Sequence, residues 1–318
     1  MADLLRRGGP VLAVASGGGH LMELQQFADE VTDGSGLLWC TSGQPRETET
    51  ISFPYIPAKS LSRAVSAVPL ARRILRAHNV RRVLTTGAAI ALPFAVACRI
   101  ERIPIHYVES AARQDRLSVT GRLLRASHLA VVAAQFDMGR GIPVSSNVFD
   151  GFHFDSAVSR VPVDGPLRVV VTFGTSSDWT FRAAIDKVAG VLSGVVEDSA
   201  EILWQTGVDG EVVMGQKTHR LVPVEDLRDA MARAHLIIGH AGVGTALMAL
   251  QAGRVPVLLP RRAGRGEHTD DHQVQLASFL KARDLAVTCE VDELTADHLR
   301  TAIGRRVRRV GEEGPTGP

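Results

Sequence analysis

Residues 236–260 read LIIGHAGVGTALMALQAGRVPVLLP. An apolar run too short for a helix, Leu236–Gly239, leads into Gly239-His240-Ala241-Gly242-Val243-Gly244-Thr245. Helical periodicity follows from Gly244 to Ala252, Gly253 supplies the stop, and a second apolar run, Val255–Pro260, resumes. Neither run alternates apolar with polar residues, the pattern of parallel strands covered on both faces. A strand, a glycine turn, a helix and a strand make one crossover unit, and such units assemble into a doubly wound sheet.

The same alternation extends in both directions. Upstream, strands are predicted at Val11–Ser16, Leu37–Thr41, Arg82–Thr86, Pro104–Glu109 and Leu129–Ala133, with helices at Leu21–Val31, Ser62–His78 and Ile90–Ile100. Around the quoted stretch, strands are predicted at Leu167–Phe173, Glu201–Gln205 and Leu285–Cys289. The accompanying helices are Thr180–Leu192, Val224–Ala234, Asp271–Ala282 and Ala296–Val310, the last carrying a basic tail, Arg305–Arg309, read as packing back on the first domain or, less readily, as binding phosphate. Phe149–Pro166 has little helical period and two prolines and reads as a linker. The fold class is therefore α/β, two Rossmann-like domains facing across a cleft, with domains at 1–155 and 156–318. Ligands of such sheets bind outside the carboxyl ends of the strands.

Composition narrows the function class. The chain has 318 residues, 45% hydrophobic and 22% charged, which excludes disordered and fibrous chains. Cys40, Cys98 and Cys289 are widely spaced, so neither a zinc site nor a disulfide framework is expected, and a reducing cytoplasm fits. The basic start, Met1–Pro10, leads into only a short apolar run, and no stretch of about 18 apolar residues predicts a membrane span. Residues 1–160 carry 18 Lys and Arg against 13 Asp and Glu, and residues 161–318 carry 18 against 21. Of the 36 basic residues only four are Lys. Arg is suited to phosphate, although genome base composition explains such a bias equally well.

Five segments carry chemistry. Ser16-Gly17-Gly18-Gly19-His20 follows the first strand and opens a helix, an arrangement that brings backbone N–H groups to an anion. It is not G-x-G-x-x-G, and no acid ends the second strand, so a dinucleotide is not expected. His20 suits a general base or a plain helix start. Phe173-Gly174-Thr175-Ser176-Ser177-Asp178 repeats the pattern, either as a diphosphate loop or as an N-cap. The quoted loop, with His240, Gly242, Gly244 and Thr245, is the densest phosphate candidate. Gly266–Gln273 gathers two His and three acids, which suits sugar hydroxyls better than a metal, with Asp270 or Asp271 capping the next helix. His106–Arg113 places Glu109 at a strand end, as a cleft acid or as the partner of Arg113.

Together these motifs resemble glycosyltransferases of the family 28 type with the GT-B fold. In particular they resemble the two-subunit UDP-N-acetylglucosamine transferase of dolichol-linked glycan assembly and its bacterial exopolysaccharide counterparts. Residues 11–147 resemble the acceptor-side subunit through SGGGH, YVESAAR and LSVTGRLL (Leu117–Leu124). Residues 168–310 resemble the donor-binding subunit through VTFGT, WQTG (Trp204–Gly207), GHAGVGT, PVLLPRR (Pro256–Arg262) and DDHQ. The chain looks like a fusion of the two.

The resemblance implies an inverting transferase moving a sugar from a UDP-sugar to a polyprenyl-diphosphate-linked saccharide, without metal or other cofactor. Gly174, Thr175, His240, Gly242, Gly244 and Thr245 would face the diphosphate, Gln205 the nucleotide, and Asp270 and Gln273 the sugar. Arg261 or Arg262 would help with leaving-group charge. His20 or Glu109 would take the acceptor proton, and Gly17, Gly18, Gly19 and Arg113 would hold acceptor phosphate. The implied partners are the UDP-sugar, the lipid-linked acceptor and an anionic membrane, not nucleic acid, at the cytoplasmic inner face of the plasma membrane. Two departures stand out. Met248 occupies the place of a ribose-binding Glu, and membrane contact falls to the amphipathic, Arg-rich Ser60–Arg82 rather than to a leading transmembrane helix, a segment that reads almost equally as a helix packed on its own sheet with a solvated Arg face. The alternatives are a soluble natural-product acceptor and a non-catalytic UDP-sugar-binding role.

Overall fold

The computed structural model describes residues 9–31, 37–42, 50–57, 60–155, 165–174, 181–268 and 270–311. They form two compact units, Met1–Val148 and Phe149–Pro318. In the first, the elements run β1 (Val11–Ser16), α1 (Gly19–Val31), β2 (Leu37–Ser42), β3 (Thr50–Ser52), α2 (Leu61–Ser66), α3 (Val68–Ala77), β4 (Arg82–Gly87), α4 (Ala91–Glu101), β5 (Ile105–Val108), α5 (Val119–Ala126) and β6 (Val131–Ala133). Their strands make one parallel sheet in the order β3-β2-β1-β4-β5-β6. β1 and β4 are buried along almost their whole length, which explains the apolar run of β1; in β4 Arg82, Thr85 and Thr86 are buried as well.

The second unit runs β7 (Phe152–Phe154), β8 (Arg168–Thr172), α6 (Arg182–Leu192), β9 (Glu201–Gln205), β10 (Val212–Val213), β11 (Gln216–His219), α7 (Val224–Arg233), β12 (Leu236–His240), α8 (Val243–Gln251), β13 (Val257–Leu259), α9 (His272–Ala282), β14 (Val287–Thr288), α10 (Ala296–Ala302) and β15 (Val307–Arg309). Its main sheet has the order β10-β11-β9-β8-β12-β13-β14, parallel except for the β10–β11 hairpin. Each unit has its own core. One is built around Leu12, Phe94 and Tyr107, the other around Val171, Phe173, Trp204 and Ile238.

Three sequence expectations are corrected. The helix predicted over Ser62–His78 is two helices meeting at Ala67, with Pro69 in the first turn of the second. Proline inside a continuous helix would remove an N–H bond and clash with the preceding turn, whereas a first turn accepts it. The helix predicted to Val310 stops at Ala302, and Gly304 turns the chain at φ +79°. Its tail becomes β15, antiparallel to β7, inside what the sequence presented as linker. The tail's arginines lie within the second unit: Arg305 and Arg309 stack over Phe154 and Phe152, and Arg308 pairs with Asp155. β3, β10 and β11 were not anticipated. Among the described residues, no helix is long and apolar enough to cross a membrane.

Candidate active site

In the first sheet the strand order reverses between β1 and β4, so the crevice of the doubly wound fold opens at their carboxyl ends. Gly17–His20 leaves β1 there. Gly18 adopts φ +80°, and its carbonyl accepts from Met22 N at 3.2 Å, which starts α1. From β4, the Thr86 hydroxyl donates to the His20 carbonyl at 2.6 Å. Ala88 holds φ +59°, a left-handed conformation that costs a non-glycine residue energy and clusters at functional loops.

His20 is the second residue of α1, and its side chain is 34% exposed. Its Nδ1 lies 3.8 Å from Oε2 of Glu23, one helical turn on. Glu23 is 0% exposed, and its Oε1 accepts from Ala111 N at 2.7 Å and from Gln135 Nε2 at 3.1 Å. Burial pushes its carboxyl up from 4.5 to about 7, partly offset by bonds to Ala111, Ser110 and Gln135 and reinforced by the charge of Glu109. Nothing in the sequence pattern distinguished Glu23 from the polar residues of an ordinary amphipathic helix.

Glu109 faces inward. It accepts from the Tyr107 hydroxyl at 3.0 Å, Ser110 N at 3.2 Å and Ser118 N at 2.7 Å. Ser118 is the N-cap of α5, accepting from Gly121 N, and a Cβ on Gly121 would overlap the Glu109 carboxylate. Burial and that carboxylate push the Tyr107 hydroxyl well above its usual range. Arg113 is half-buried, its N–H bonded to Ser110 O at 2.9 Å. Of the two bases the sequence offered, His20 opens toward solvent and Glu109 holds the loop between β5 and α5.

The second sheet has its own reversal between β8 and β12. At the end of β8, Gly174 sits at φ +84°, where a Cβ would lie 2.8 Å from His240 Cε1. At the end of β12, Gly242 is the N-cap of α8, and a Cβ there would overlap Nε2 of the same ring. The His240 imidazole is thus clasped between two glycines, with Nδ1 3.2 Å from the Thr245 hydroxyl. Burial and the nearby Arg261 drop its pKa to about 3, so it works as a neutral ring. Gly239 is required for close packing, because a Cβ would press on Thr172 O. Gly244 sits in the first turn of α8, where helix N–H groups face outward. Thr175 lies outside the described residues.

Several of the expected ligand contacts also hold hydrogen bonds or ion pairs within the second unit. Gln205 is buried under the Gly174 loop, donating to Thr172 Oγ1 at 2.9 Å and accepting from Val222 N at 2.9 Å. Gln273 is buried and accepts from Arg261 N at 3.0 Å. Arg261 is 3% exposed, donates to Phe173 O at 2.9 Å, lies over the Phe181 ring, and falls to about 10 through burial. Arg262 forms an ion pair with Glu290. The cap of α9 is Asp271, whose carboxylate accepts from Ala263 N, while Asp270 pairs with His272. Among the described residues, His268, Asp270 and His272 form one group whose ligand atoms lie within 4.8 Å of one another. Met248 is 8% exposed, within α8.

Comparison with known proteins places the second unit. Residues 168–303 match the glycosyltransferase family 28 C-terminal domain. The UDP-N-acetylglucosamine--N-acetylmuramyl-(pentapeptide) pyrophosphoryl-undecaprenol N-acetylglucosamine transferase of Sorangium cellulosum (strain So ce56) is 26% identical over 261 residues, 78% of this chain and 62% of that one. The enzyme of the same name from Rhodospirillum centenum (strain ATCC 51521 / SW) is 26% identical over 326 residues, covering 92% and 84%. The crystal structure of Acinetobacter baumannii MurG superposes with a TM-score of 0.55 at 20% identity, over 92% of this chain and 89% of that one. The two parallel α/β sheets follow the GT-B fold.

Proposed function

We propose that this protein is an inverting glycosyltransferase that moves a sugar, N-acetylglucosamine by likeness to its relatives, from a UDP-sugar to a polyprenyl-diphosphate-linked saccharide at an anionic membrane surface. The observation that carries the reading is that the family 28 match falls on the residues that build the second crevice, Gly174 and His240–Thr245. The start of α8 would meet the diphosphate with helix N–H groups and the positive end of the helix dipole. Neutral His240 and the loop of Gly174 shape that cradle, while Arg261, Gln205 and Gln273 hold it from behind. Asp270, on the loop before α9, is the sugar contact in this reading.

The first unit supplies the acceptor chemistry. The acceptor hydroxyl oxygen attacks the anomeric carbon, its proton passes to His20 Nε2, and the bond to UDP breaks with the electron pair on the diphosphate. In this reading Gly17, Gly18, Gly19 and Arg113 would receive acceptor phosphate, and Glu109 fixes the loop between β5 and α5.

The test is thermal unfolding of the protein with UDP, UDP-sugars, GDP, dTDP and NAD. A ligand at about a hundredfold over its Kd stabilises by about 2.7 kcal/mol, a shift of several degrees. A shift confined to UDP and one UDP-sugar, followed by transfer to a polyprenyl-diphosphate saccharide, is the expected outcome. Met248, buried where the resemblance expects a ribose-binding Glu, favours the non-catalytic alternative, which takes over if UDP binds and no transfer follows.

A further inference from the structure

We infer that Glu23 is the positioning residue of the first crevice: its buried carboxylate orients His20 and fixes the ring in the form that can accept a proton at Nε2. The inference deepens the proposed function and rests on His20 being its base.

Three observations converge on it. Glu23 is wholly buried, yet one of its oxygens is directed to the imidazole that reaches the crevice, with His20 Nδ1 3.8 Å from Oε2. The other oxygen is fixed by two groups from outside the helix, Ala111 N at 2.7 Å and Gln135 Nε2 at 3.1 Å. Gln135 is itself anchored, donating to Glu109 O at 3.0 Å and accepting from Val148 N at 3.0 Å. The carboxylate therefore cannot swing away, and Oε2 stays on the His20 side. At 3.8 Å the pair lies within ion-pair range but beyond direct hydrogen-bond reach, so the carboxylate acts on the ring through its charge, favouring the proton at Nδ1 and leaving Nε2 as the acceptor. During transfer the hydroxyl proton would move to Nε2, and Glu23 would balance the imidazolium without taking a proton.

The groups packed around Glu23 are His20 on its own helix, Ser110 and Glu109 from the loop after β5, Tyr107 from β5, and Gln135 after β6. Among these described groups none carries an ammonium or guanidinium, so the ionised carboxylate depends on the ring and the N–H donors. Because burial raises the carboxyl to about 7, the orienting form appears as pH rises through that value.

Two substitutions separate this role from a structural one. Glu23→Gln keeps an oxygen for Ala111 and Gln135 and replaces the charged oxygen facing His20 with an amide. Glu23→Ala removes both. The first readout needs no activity: long-range ¹H–¹⁵N spectra of histidine-labelled protein at pH 8, with His20 assigned through His20→Gln. The Nδ1–H form is expected in the wild type and the Nε2–H form in Glu23→Gln. The second readout is kinetic. Glu23→Gln is expected to lower kcat by roughly 10- to 100-fold, leave KM for the UDP-sugar within about twofold, and lose the acid limb near pH 7, since a general base is typically worth about 10²–10⁴-fold. An unchanged tautomer, or kcat in Glu23→Gln within twofold of wild type while Glu23→Ala is impaired, overturns the inference and leaves Glu23 a structural residue. If the wild type transfers no sugar, the proposed function fails, and the tautomer alone decides whether Glu23 orients His20.

Discussion

Taking the Glu23 carboxyl out of water moves its pKa from 4.5 to about 7, so the folded protein binds this proton more tightly than the unfolded chain does. The associated stability is fully present below about pH 4.5 and is lost as pH rises through 7. The loss approaches about 3 kcal/mol. Glutamine at this position keeps the bonds to Ala111 and Gln135 and never ionises. Glu23→Gln should therefore melt several degrees above wild type at pH 8, with that difference shrinking toward pH 5. An equal difference at both pH values, read by circular dichroism melts, would sink the assignment of the proton to Glu23. A residue that destabilises the fold at neutral pH while facing a crevice histidine is the pattern of a group kept for function. Why the sequence reveals His20, Gly174, His240 and Gly242 but not Glu23 follows from the same physics. Glycines beside a strand end announce a turn and close approach wherever they occur. An acid three residues after a histidine on a helix looks like a solvated face until Ala111 and Gln135, distant in sequence, fold over it.

At the scale of elements, the strand–helix alternation was legible because parallel strands buried on both faces are unbroken apolar runs. What failed was composition without a partner in view. Val307–Arg309 has nothing in its sequence to mark a strand, and Phe152–Phe154 looks like linker; each becomes a strand by pairing with the other. Within Ser60–Arg82 the two readings fall on different elements. α3 buries Ala71, Ile74 and Leu75 in the core of the first unit, and Arg72 and Arg76 both bridge Glu101, holding its carboxyl below the usual range. Arg82 belongs to β4 and is buried. The apolar surface that remains is on α2, where Leu61 and Val65 are 64% and 61% exposed with Arg63 beside them. α5 repeats the arrangement with exposed Val119 and Leu123 beside a cavity of about 460 Å³ lined by Arg116, Arg122, Arg125 and Arg140. Aliphatic pairs one turn apart among arginines suit an anionic bilayer surface. Flotation with vesicles containing phosphatidylglycerol should recover the wild type and lose most of a Leu61→Ser/Val65→Ser variant, with no change in melting temperature. Equal flotation of both would remove α2 from the membrane contact.

At the scale of the molecule, each unit has a core of its own and one crevice where its strand order reverses, and the candidate residues divide cleanly between them. The first half of the chain is basic and the second acidic, and the proposed function assigns the phosphate-bearing acceptor to the first and the donor, held by backbone groups, to the second. That division predicts separable kinetic defects. In Gly174→Ala, an alanine forced to φ +84° costs roughly 1–2 kcal/mol, and its methyl group would push His240 from the cradle. The melting shift caused by UDP should disappear, and KM for the UDP-sugar should rise at least about tenfold, as expected when binding common to ground and transition states is removed. His20→Ala touches none of that cradle. It should keep the UDP-induced shift to within about one degree and lower kcat by roughly 10²–10⁴-fold. Calorimetric titration of UDP into both variants decides the matter: if His20→Ala abolishes UDP binding, or Gly174→Ala preserves it, then donor binding does not reside at the second crevice, and the assignment of roles to the two units is wrong.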